Sequence, residues 1–129
     1  MNDEVKKEIN DSGVMTIILN RPNSLNSLNY GLVKGVIEAF DEAASNEGVR
    51  SVILTGEGRG FCSGADLTGG GWPTKPEWSS GEISANNMDL FLNPMIKKIV
   101  ACPKPVINAI NGIAAGGGVG LALSGDILI

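Results

Sequence analysis

The residue types that could do chemistry in this chain are few, because its 129 residues include no histidine. That rules out a Ser-His-Asp triad, a Cys-His dyad or a histidine metal site built from this chain alone. The two cysteines, Cys62 and Cys102, suffice for neither a disulfide framework nor a zinc ligand set. Any chemistry must therefore come from carboxylates, from backbone dipoles or from a partner.

Three consecutive glycines are the first candidate for such backbone chemistry. Gly116, Gly117 and Gly118 follow an apolar run over 105–110 and lead into a small-residue stretch. Glycines where a strand passes into a helix let the backbone approach a ligand closely. The first N–H groups of that helix lack intrahelical partners and carry the positive end of its dipole. The pattern favours a site for negative charge, although a flexible turn or a close packing contact explains three glycines equally well.

Known phosphate-binding motifs do not fit this stretch. A P-loop requires Gly-Lys-Ser/Thr after its glycines, whereas Val119-Gly120 follows Gly118. A dinucleotide fingerprint requires G-x-G-x-x-G, whereas residues 111–116 read N-G-I-A-A-G. A nucleotide-binding α/β domain therefore remains only a third-choice interpretation.

Hydrophobic periodicity predicts the elements that must position these residues. Apolar, β-branched runs predict strands over 14–19, 51–55 and 105–110, and another strand begins at Asp126. Apolar residues at three-four spacing predict helices over 30–45, capped by Asn29, and over 84–100, and a small-residue helix follows over 119–124. The buried face of the first helix is predicted to include Ala43 and Ala44. This alternation indicates an α/β protein with a mostly parallel sheet. Because the last strand stops with the chain at Ile129, we expect the sequence to be a fragment.

Several single residues have a structural interpretation that competes with a functional one. Asp66 is interpreted as a carboxylate that braces its loop rather than as a proton carrier, and Cys62 as a small buried residue rather than as a reactive thiol. Asp126 is expected to cap a turn or to meet a neighbouring loop. The glycine- and proline-rich stretch 68–81 is expected to be a mobile excursion, in which Trp72 and Trp78 either cover a ligand or dock the loop.

Composition and charge narrow the possible partners. The chain is 43% hydrophobic and carries a net charge of −4, which argues against a nucleic-acid partner. No apolar run approaches the roughly 20 residues of a membrane helix, and residues 1–4 do not start a signal peptide. We therefore expect no membrane partner and a cytoplasmic location.

Three segments in order resemble the crotonase superfamily, the enoyl-CoA hydratases and isomerases. They are L-N-R-P with L-N-S-L over 19–28, R-G-F-C-S-G-A-D-L over 59–67, and K-P-V-I through D-I over 104–127. The run 91–94 and the stretch 114–126 look most like the epoxyphenylacetyl-CoA isomerase branch. The resemblance extends from about residue 13 to the end. It covers only the N-terminal half of a family member, so residues 1–129 are expected to be the N-terminal part of an acyl-CoA-binding core.

The resemblance implies a crotonase-like superhelix of ββα turns that binds acyl-CoA thioesters, with coenzyme A as part of the substrate and neither a metal nor another cofactor. It assigns the backbone N–H groups of Ala65 and Gly117 to a catalytic oxyanion hole. Such donors stabilise the negative charge that an enolate places on the thioester oxygen. Five further positions resemble the family's CoA-binding residues: Ser24, Leu25, Ser63, Asp66 and Leu67.

One departure from the family pattern bears on the reaction. Hydratases of this family carry a glutamate two residues after the glycines, where this chain has Gly120. Any second carboxylate would lie beyond Ile129. The parent protein is therefore expected to be an isomerase rather than a two-glutamate hydratase, and this fragment alone is expected to be inactive. The alternative is a non-catalytic acyl-CoA-binding or assembly fragment.

The resemblance also bears on assembly. Family members are typically trimers or hexamers, so a homo-oligomer is expected for the full-length parent. In the fragment, apolar surface near residues 121–129 is expected to be exposed and to cause self-association.

Overall fold

Two sheets and four α-helices make up the computed structural model, which describes residues 2–129. The strands are β1 (Val5–Ile9), β2 (Val14–Leu19), β3 (Ser51–Gly56), β4 (Gly60–Cys62), β5 (Val106–Asn108), β6 (Ile113–Ala114) and β7 (Ile127–Leu128). The helices are a 3₁₀ turn (Pro22–Ser24), α1 (Tyr30–Ser45), α2 (Ser80–Asn87), a π-helical segment (Met88–Leu92), α3 (Asn93–Val100) and α4 (Gly117–Ala122).

The larger sheet has the strand order β1-β2-β3-β5-β7. Its first two strands form an antiparallel hairpin, in which Gly13 has a φ of +81° that favours glycine. The pairs β2–β3, β3–β5 and β5–β7 are all parallel. The predicted α/β class with a mostly parallel sheet is confirmed.

Helix α1 supplies one side of the hydrophobic core. Its cap is the predicted one, since the Asn29 side chain accepts a hydrogen bond from the Leu32 N–H at 2.8 Å. Ala44 is exposed, contrary to prediction, because it lies one residue beyond Ala43 and thus about 100° further round the helix. The largest fully buried side chains of the core include Phe40, Phe61, Met15, Ile17, Leu19, Leu32 and Leu54.

The predicted continuous helix over 84–100 is wrong in two respects. Helix α2 begins at Ser80, where Ser79 and Glu82 form a reciprocal capping box. The helix is then interrupted by the π segment, whose last turn closes with a hydrogen bond from the Asn93 N–H to the Met88 carbonyl. Pro94 accounts for the interruption, because it has no N–H for the next helical bond and its ring crowds the carbonyl four residues earlier.

The last third of the chain has shorter elements than predicted. Strand β5 covers only 106–108 of the predicted 105–110, and Asp126 precedes β7 rather than starting it. Helix α4 begins at Gly117 and ends at Ala122, instead of covering 119–124. Strands β4 and β6, which form the second sheet, were not predicted.

Apolar side chains near the end of the chain are exposed, as expected. Leu121 is fully buried, but large hydrophobic residues around it are open to solvent: Val119, Leu123, Ile127, Leu128 and Ile129. Self-association through this surface stays a prediction. Among residues 2–129, no helix is long and apolar enough to span a membrane.

Candidate active site

In the loop after β4, Ala65 is held by a single bridge to Leu28, two residues before α1. The Leu28 N–H donates to the Gly64 carbonyl at 2.7 Å, and the Asp66 N–H donates to the Leu28 carbonyl at 3.1 Å. In a parallel bridge of this kind the N–H of the middle residue, Ala65, faces away from Leu28. Within residues 2–129 it donates no hydrogen bond. The loop therefore presents one unused backbone donor.

A second loop, between β6 and α4, lies directly against the first. The Ala115 N–H donates to the Cys62 carbonyl at 3.0 Å, which ties the two loops together. Gly64, with a φ of +103°, lies so close to the second loop that a Cβ there would be 2.9 Å from the Ala115 carbonyl oxygen. The turn before α4 is made by Gly116, at φ +52° and ψ −129°. A side chain would strain both of these glycines.

Gly117 is the first residue of α4, and its N–H is one of the first N–H groups of a helix, which have no acceptor within the helix. The next two N–H groups bond back into the loop, from Gly118 to Ala115 at 2.8 Å and from Val119 to Gly116 at 3.0 Å. In the described part of the chain, the Gly117 N–H makes no such bond. The second loop thus offers a second unused donor.

Ala65 and Gly117 line the same cavity, whose volume is about 460 Å³. Gly120 also lines it, and a Cβ at that position would have no heavy atom within 4 Å. The remaining wall comes from the turn before α1, from the excursion 68–81 and from the helices that follow it: Leu28, Trp72, Ser84, Asn87, Met88, Leu92, Asn93, Met95 and Ile96. The cavity is therefore mostly apolar, with no carboxylate among the described lining residues, and two of its lining residues have an unused backbone N–H.

Trp72 docks the excursion, as one of its two interpretations predicted, whereas the covering of a ligand stays a prediction. Its ring packs against Tyr30 and Phe91, with centroids 6.1 and 5.6 Å away. The Tyr30 N–H donates to the Gly70 carbonyl at 2.8 Å, which fastens the excursion to the start of α1. The same tryptophan docks the loop and forms part of the cavity wall.

Asp66 braces its loop, as its structural interpretation predicted. Its side chain is only 7% exposed and pairs with the Arg21 guanidinium at 2.8 Å. It also accepts hydrogen bonds from the hydroxyl and the N–H of Thr68, at 2.6 and 2.8 Å. These Thr68 bonds, followed by the Arg21 bond and charge, lower the pKa of the Asp66 carboxyl below its ordinary value. Asp66 is therefore held ionised, facing Arg21 and Thr68.

The other predicted CoA-binding residues divide into two groups. Ser63 joins the turn before α1, since its N–H donates to the Leu25 carbonyl at 3.0 Å and its hydroxyl to the Ser24 carbonyl at 3.1 Å. Leu25 has a φ of +52°. Leu67 stands apart, with 96% of its surface exposed. None of these four lines the cavity, and their predicted roles in binding CoA stay predictions.

Asn26 is a positioning residue that the sequence interpretation missed. It is fully buried, and its side chain bridges the turn at 21–28 to the loop before β4. Its Oδ1 accepts from the Arg21 N–H at 2.7 Å, while its Nδ2 donates to the carbonyls of Glu57 and Gly60 at 3.1 and 2.9 Å. Its φ of +55° is a conformation that asparagine adopts more readily than most residues.

Cys62 and Asp126 have environments that fit a structural role. Cys62 is fully buried, and burial raises the pKa of its thiol despite a hydrogen bond from the Gly64 backbone. The Asp126 carboxylate accepts a hydrogen bond from the Val106 N–H at 2.8 Å, which joins the end of the chain to β5. Over residues 2–129 there is no cluster of three or more residues able to hold a metal ion.

The sequence interpretation also missed the part of the wall around the π segment, including Asn87 and Asn93. Pro94 was the available signal, since a proline within a helical pattern marks a break. A larger hollow of about 670 Å³ lies between β1 and α1, near Lys6 and Glu38. It contains none of the predicted site residues, so the cavity at Ala65 and Gly117 is the candidate active site.

Comparison with known proteins identifies the class to which this fold belongs. The family model described as enoyl-CoA hydratase/isomerase matches residues 9–129. A solved structure of an enoyl-CoA hydratase from Bacillus anthracis superposes with a TM-score of 0.82 at 30% identity, covering 97% of this chain and 46% of that one. The fold is therefore the crotonase fold.

The chain belongs to the enoyl-CoA hydratase/isomerase family. It is 42% identical to the 1,2-epoxyphenylacetyl-CoA isomerase of Escherichia coli over 120 residues, which are 92% of this chain and 44% of that protein. It is 37% identical to an enoyl-CoA hydratase of Alternaria alternata over 124 residues, 94% of this chain and 37% of that protein. The chain thus spans less than half the length of these relatives.

Proposed function

We propose that this protein binds acyl-CoA thioesters and holds the thioester oxygen between the N–H groups of Ala65 and Gly117. The observation that supports this most is that both N–H groups lack a hydrogen-bond acceptor within residues 2–129, while both residues line one apolar cavity. Family membership supports a CoA thioester as the ligand. An enolate formed from that thioester would place its negative charge on the oxygen between the two donors.

A proline at Gly117 tests this proposal at a single atom. Proline removes the N–H, and it is accepted at the first position of a helix. Gly117→Ala is the matched control, because it keeps the N–H and adds the same Cβ, which would meet the flexible end of Leu28 at 3.1 Å.

We expect Gly117→Pro to weaken binding of acetyl-CoA about tenfold, as the loss of one hydrogen bond of roughly 1.4 kcal/mol requires. Affinity for free CoA, which has no thioester oxygen, should be unchanged. Calorimetric titration of the three proteins measures both. Equal affinities of the proline and alanine variants for acetyl-CoA would contradict the oxyanion role, and no binding by the unmodified chain would contradict the proposal as a whole.

For the reaction, we propose double-bond isomerisation rather than two-glutamate hydration. Gly120 supports this choice, since it occupies the position of a hydratase glutamate and cannot transfer a proton. In a protein that carries this sequence at the length of its relatives, the double-bond shift should be faster than hydration of an enoyl-CoA. Rapid hydration with weak isomerisation would contradict the preference.

A second candidate function is acyl-CoA binding without turnover by this chain alone. The observation that favours it is the absence of a proton-transferring side chain among the described residues of the cavity wall. Binding of acetyl-CoA with no product formed would support this candidate. Affinity for nucleotides without affinity for CoA would favour a nucleotide-binding domain instead.

A further inference from the structure

The Arg21 side chain joins the turn before α1 to the loop that carries Ala65. Its Nη1 donates to the carbonyl and to the hydroxyl of Ser27, at 2.6 and 3.0 Å. Its Nη2 pairs with the Asp66 carboxylate at 2.8 Å, and its Nε lies 3.1 Å from the Glu4 carboxylate. One guanidinium therefore connects three segments that are separate in the sequence.

Two of these contacts flank the bridge that orients the Ala65 N–H. The bridge pairs Leu28 with Ala65. Ser27 directly precedes Leu28, and Asp66 directly follows Ala65. Asp66 is also a member of the bridge, because its N–H donates to the Leu28 carbonyl at 3.1 Å. A shift of Asp66 relative to Ser27 would loosen the bridge and turn the Ala65 N–H.

The backbone from which the Arg21 side chain extends is itself fixed. The Arg21 N–H donates to the Oδ1 of the buried Asn26 at 2.7 Å, and the Arg21 carbonyl accepts from the N–H groups of Asn26 and Ser24 at 2.9 and 3.1 Å. The guanidinium is planar and directs its N–H groups in fixed directions, so it loses less conformational freedom per hydrogen bond than a lysine. Arg21 is therefore suited to hold the loop in one position.

We propose that Arg21 is a positioning residue for the Ala65 donor of the oxyanion hole. It is not among the described residues that line the cavity, so it acts through Ser27 and Asp66. Within residues 2–129 it makes no hydrogen bond to the loop that carries Gly117. Arg21 should therefore affect one donor and leave the other unchanged. This inference rests on the proposed binding of acyl-CoA and adds the residue that sets the direction of one donor.

Two substitutions of Arg21 and one matched control test the inference. Arg21→Met keeps an unbranched side chain and removes every donor of the guanidinium. Arg21→Lys is the milder variant, because it keeps a positive charge beside Asp66 and loses only the planar geometry. Lys104→Met is the control. The Lys104 ammonium donates to the carbonyls of Ala44 and Asn46 at 3.2 and 3.0 Å, so its removal also frees backbone carbonyls, but at the other end of α1.

Calorimetric titration and amide NMR with acetyl-CoA and with free CoA provide the two readouts. We expect the preference for acetyl-CoA over free CoA to fall about three- to tenfold in Arg21→Met, because the hydrogen bond from Ala65 is weakened or lost. The downfield shift of the Ala65 amide proton with acetyl-CoA should shrink, while that of Gly117 should remain. Arg21→Lys should show the same selective change to a smaller extent, and Lys104→Met should match the unmodified chain.

Three results overturn the inference while leaving acyl-CoA binding in place. One is an Ala65 amide that responds to acetyl-CoA in both Arg21 variants as it does in the unmodified chain. The second is an equal loss of the Ala65 and Gly117 shifts, which would make Arg21 a general stabiliser of the fold. The third is the same selective change in Lys104→Met. Failure of the unmodified chain to bind acetyl-CoA overturns the proposed function as well.

Discussion

Replacing Gly118 by alanine tests whether the two loops of the candidate active site are packed as closely as the structure shows. A Cβ at Gly118 would overlap the Cys62 carbonyl oxygen and lie 2.8 Å from the carbonyl carbon and 3.1 Å from the Cys62 Cβ, where ordinary contacts begin near 3.4 Å. That carbonyl also accepts the Ala115 N–H bond that joins the loops. The atoms that the added Cβ meets are mainly backbone atoms, so a change of side-chain rotamer cannot relieve the overlap.

Gly120 is the matched control, because it lies two residues further along the same helix and its Cβ would meet nothing within 4 Å. Alanine should gain about 1 kcal/mol of helix propensity over glycine at either position. At Gly118 this gain is outweighed by overpacking, which costs about 1–3 kcal/mol and occasionally more. Gly120→Ala should therefore be stabilised slightly, and Gly118→Ala should be the less stable variant by about 1–3 kcal/mol.

Thermal unfolding followed by circular dichroism measures the difference. At roughly 4 °C per kcal/mol for a domain of this size, Gly118→Ala should melt about 4–12 °C below Gly120→Ala. If Gly118→Ala melts at the same temperature as Gly120→Ala or above it, α4 does not pack against β4 as described. The relative placement of Ala65 and Gly117 would then lose its support.

Two further predictions concern the elements that hold the site. Asp66→Asn should destabilise the protein at neutral pH. Because the pKa of Asp66 is lowered in the folded state, that stabilisation is present above the unfolded value of about 3.9 and disappears as pH falls through the folded pKa. Melting curves of the two proteins should therefore converge in acid, and a difference that grows below pH 4 would contradict the brace. Asn29→Ala should cost about 1 kcal/mol of unfolding free energy by removing the cap of α1, as denaturant titration would measure. A change no larger than that of Asn23→Ala, an exposed asparagine outside the cap, would be inconsistent with the Leu32 contact.

Elements with strong periodicity could be predicted from the sequence, and those defined by tertiary contacts could not. Strand β2 and helix α1 were predicted with their observed bounds. The strand consists of six apolar or β-branched residues, and the helix has apolar residues at a spacing of three and four, which are both strong signals. Strands β4 and β6 contain three and two residues and exist because each pairs with the other. No local pattern of that length distinguishes a strand from a loop.

The errors around the cavity have identifiable physical causes. The capping box of Ser79 and Glu82 is a sequence signal for a helix start at Ser80, and it was overlooked. Pro94 likewise marks the π segment. The start of α4 at Gly117 is different, because glycine has poor helix propensity and the turn depends on tertiary contacts, such as the close approach of Gly118 to Cys62.

The candidate site itself was predicted through resemblance, and the structure adds its surroundings. Ala65 and Gly117 are 52 positions apart in sequence, and no periodicity relates them. Their presence in one cavity depends on the bridge from Leu28 and on the bond from Ala115 to Cys62.

The most direct test of the central proposal is an amide NMR titration of the ¹⁵N-labelled chain with acetyl-CoA and with free CoA. A hydrogen bond to the thioester oxygen should move the amide proton signals of Ala65 and Gly117 downfield with acetyl-CoA and not with free CoA. Gly48, which lies in the turn after α1 and is not among the residues that line the cavity, should not move with either ligand. If acetyl-CoA binds while the amide signals of Ala65 and Gly117 stay where free CoA leaves them, these two donors do not hold the thioester oxygen.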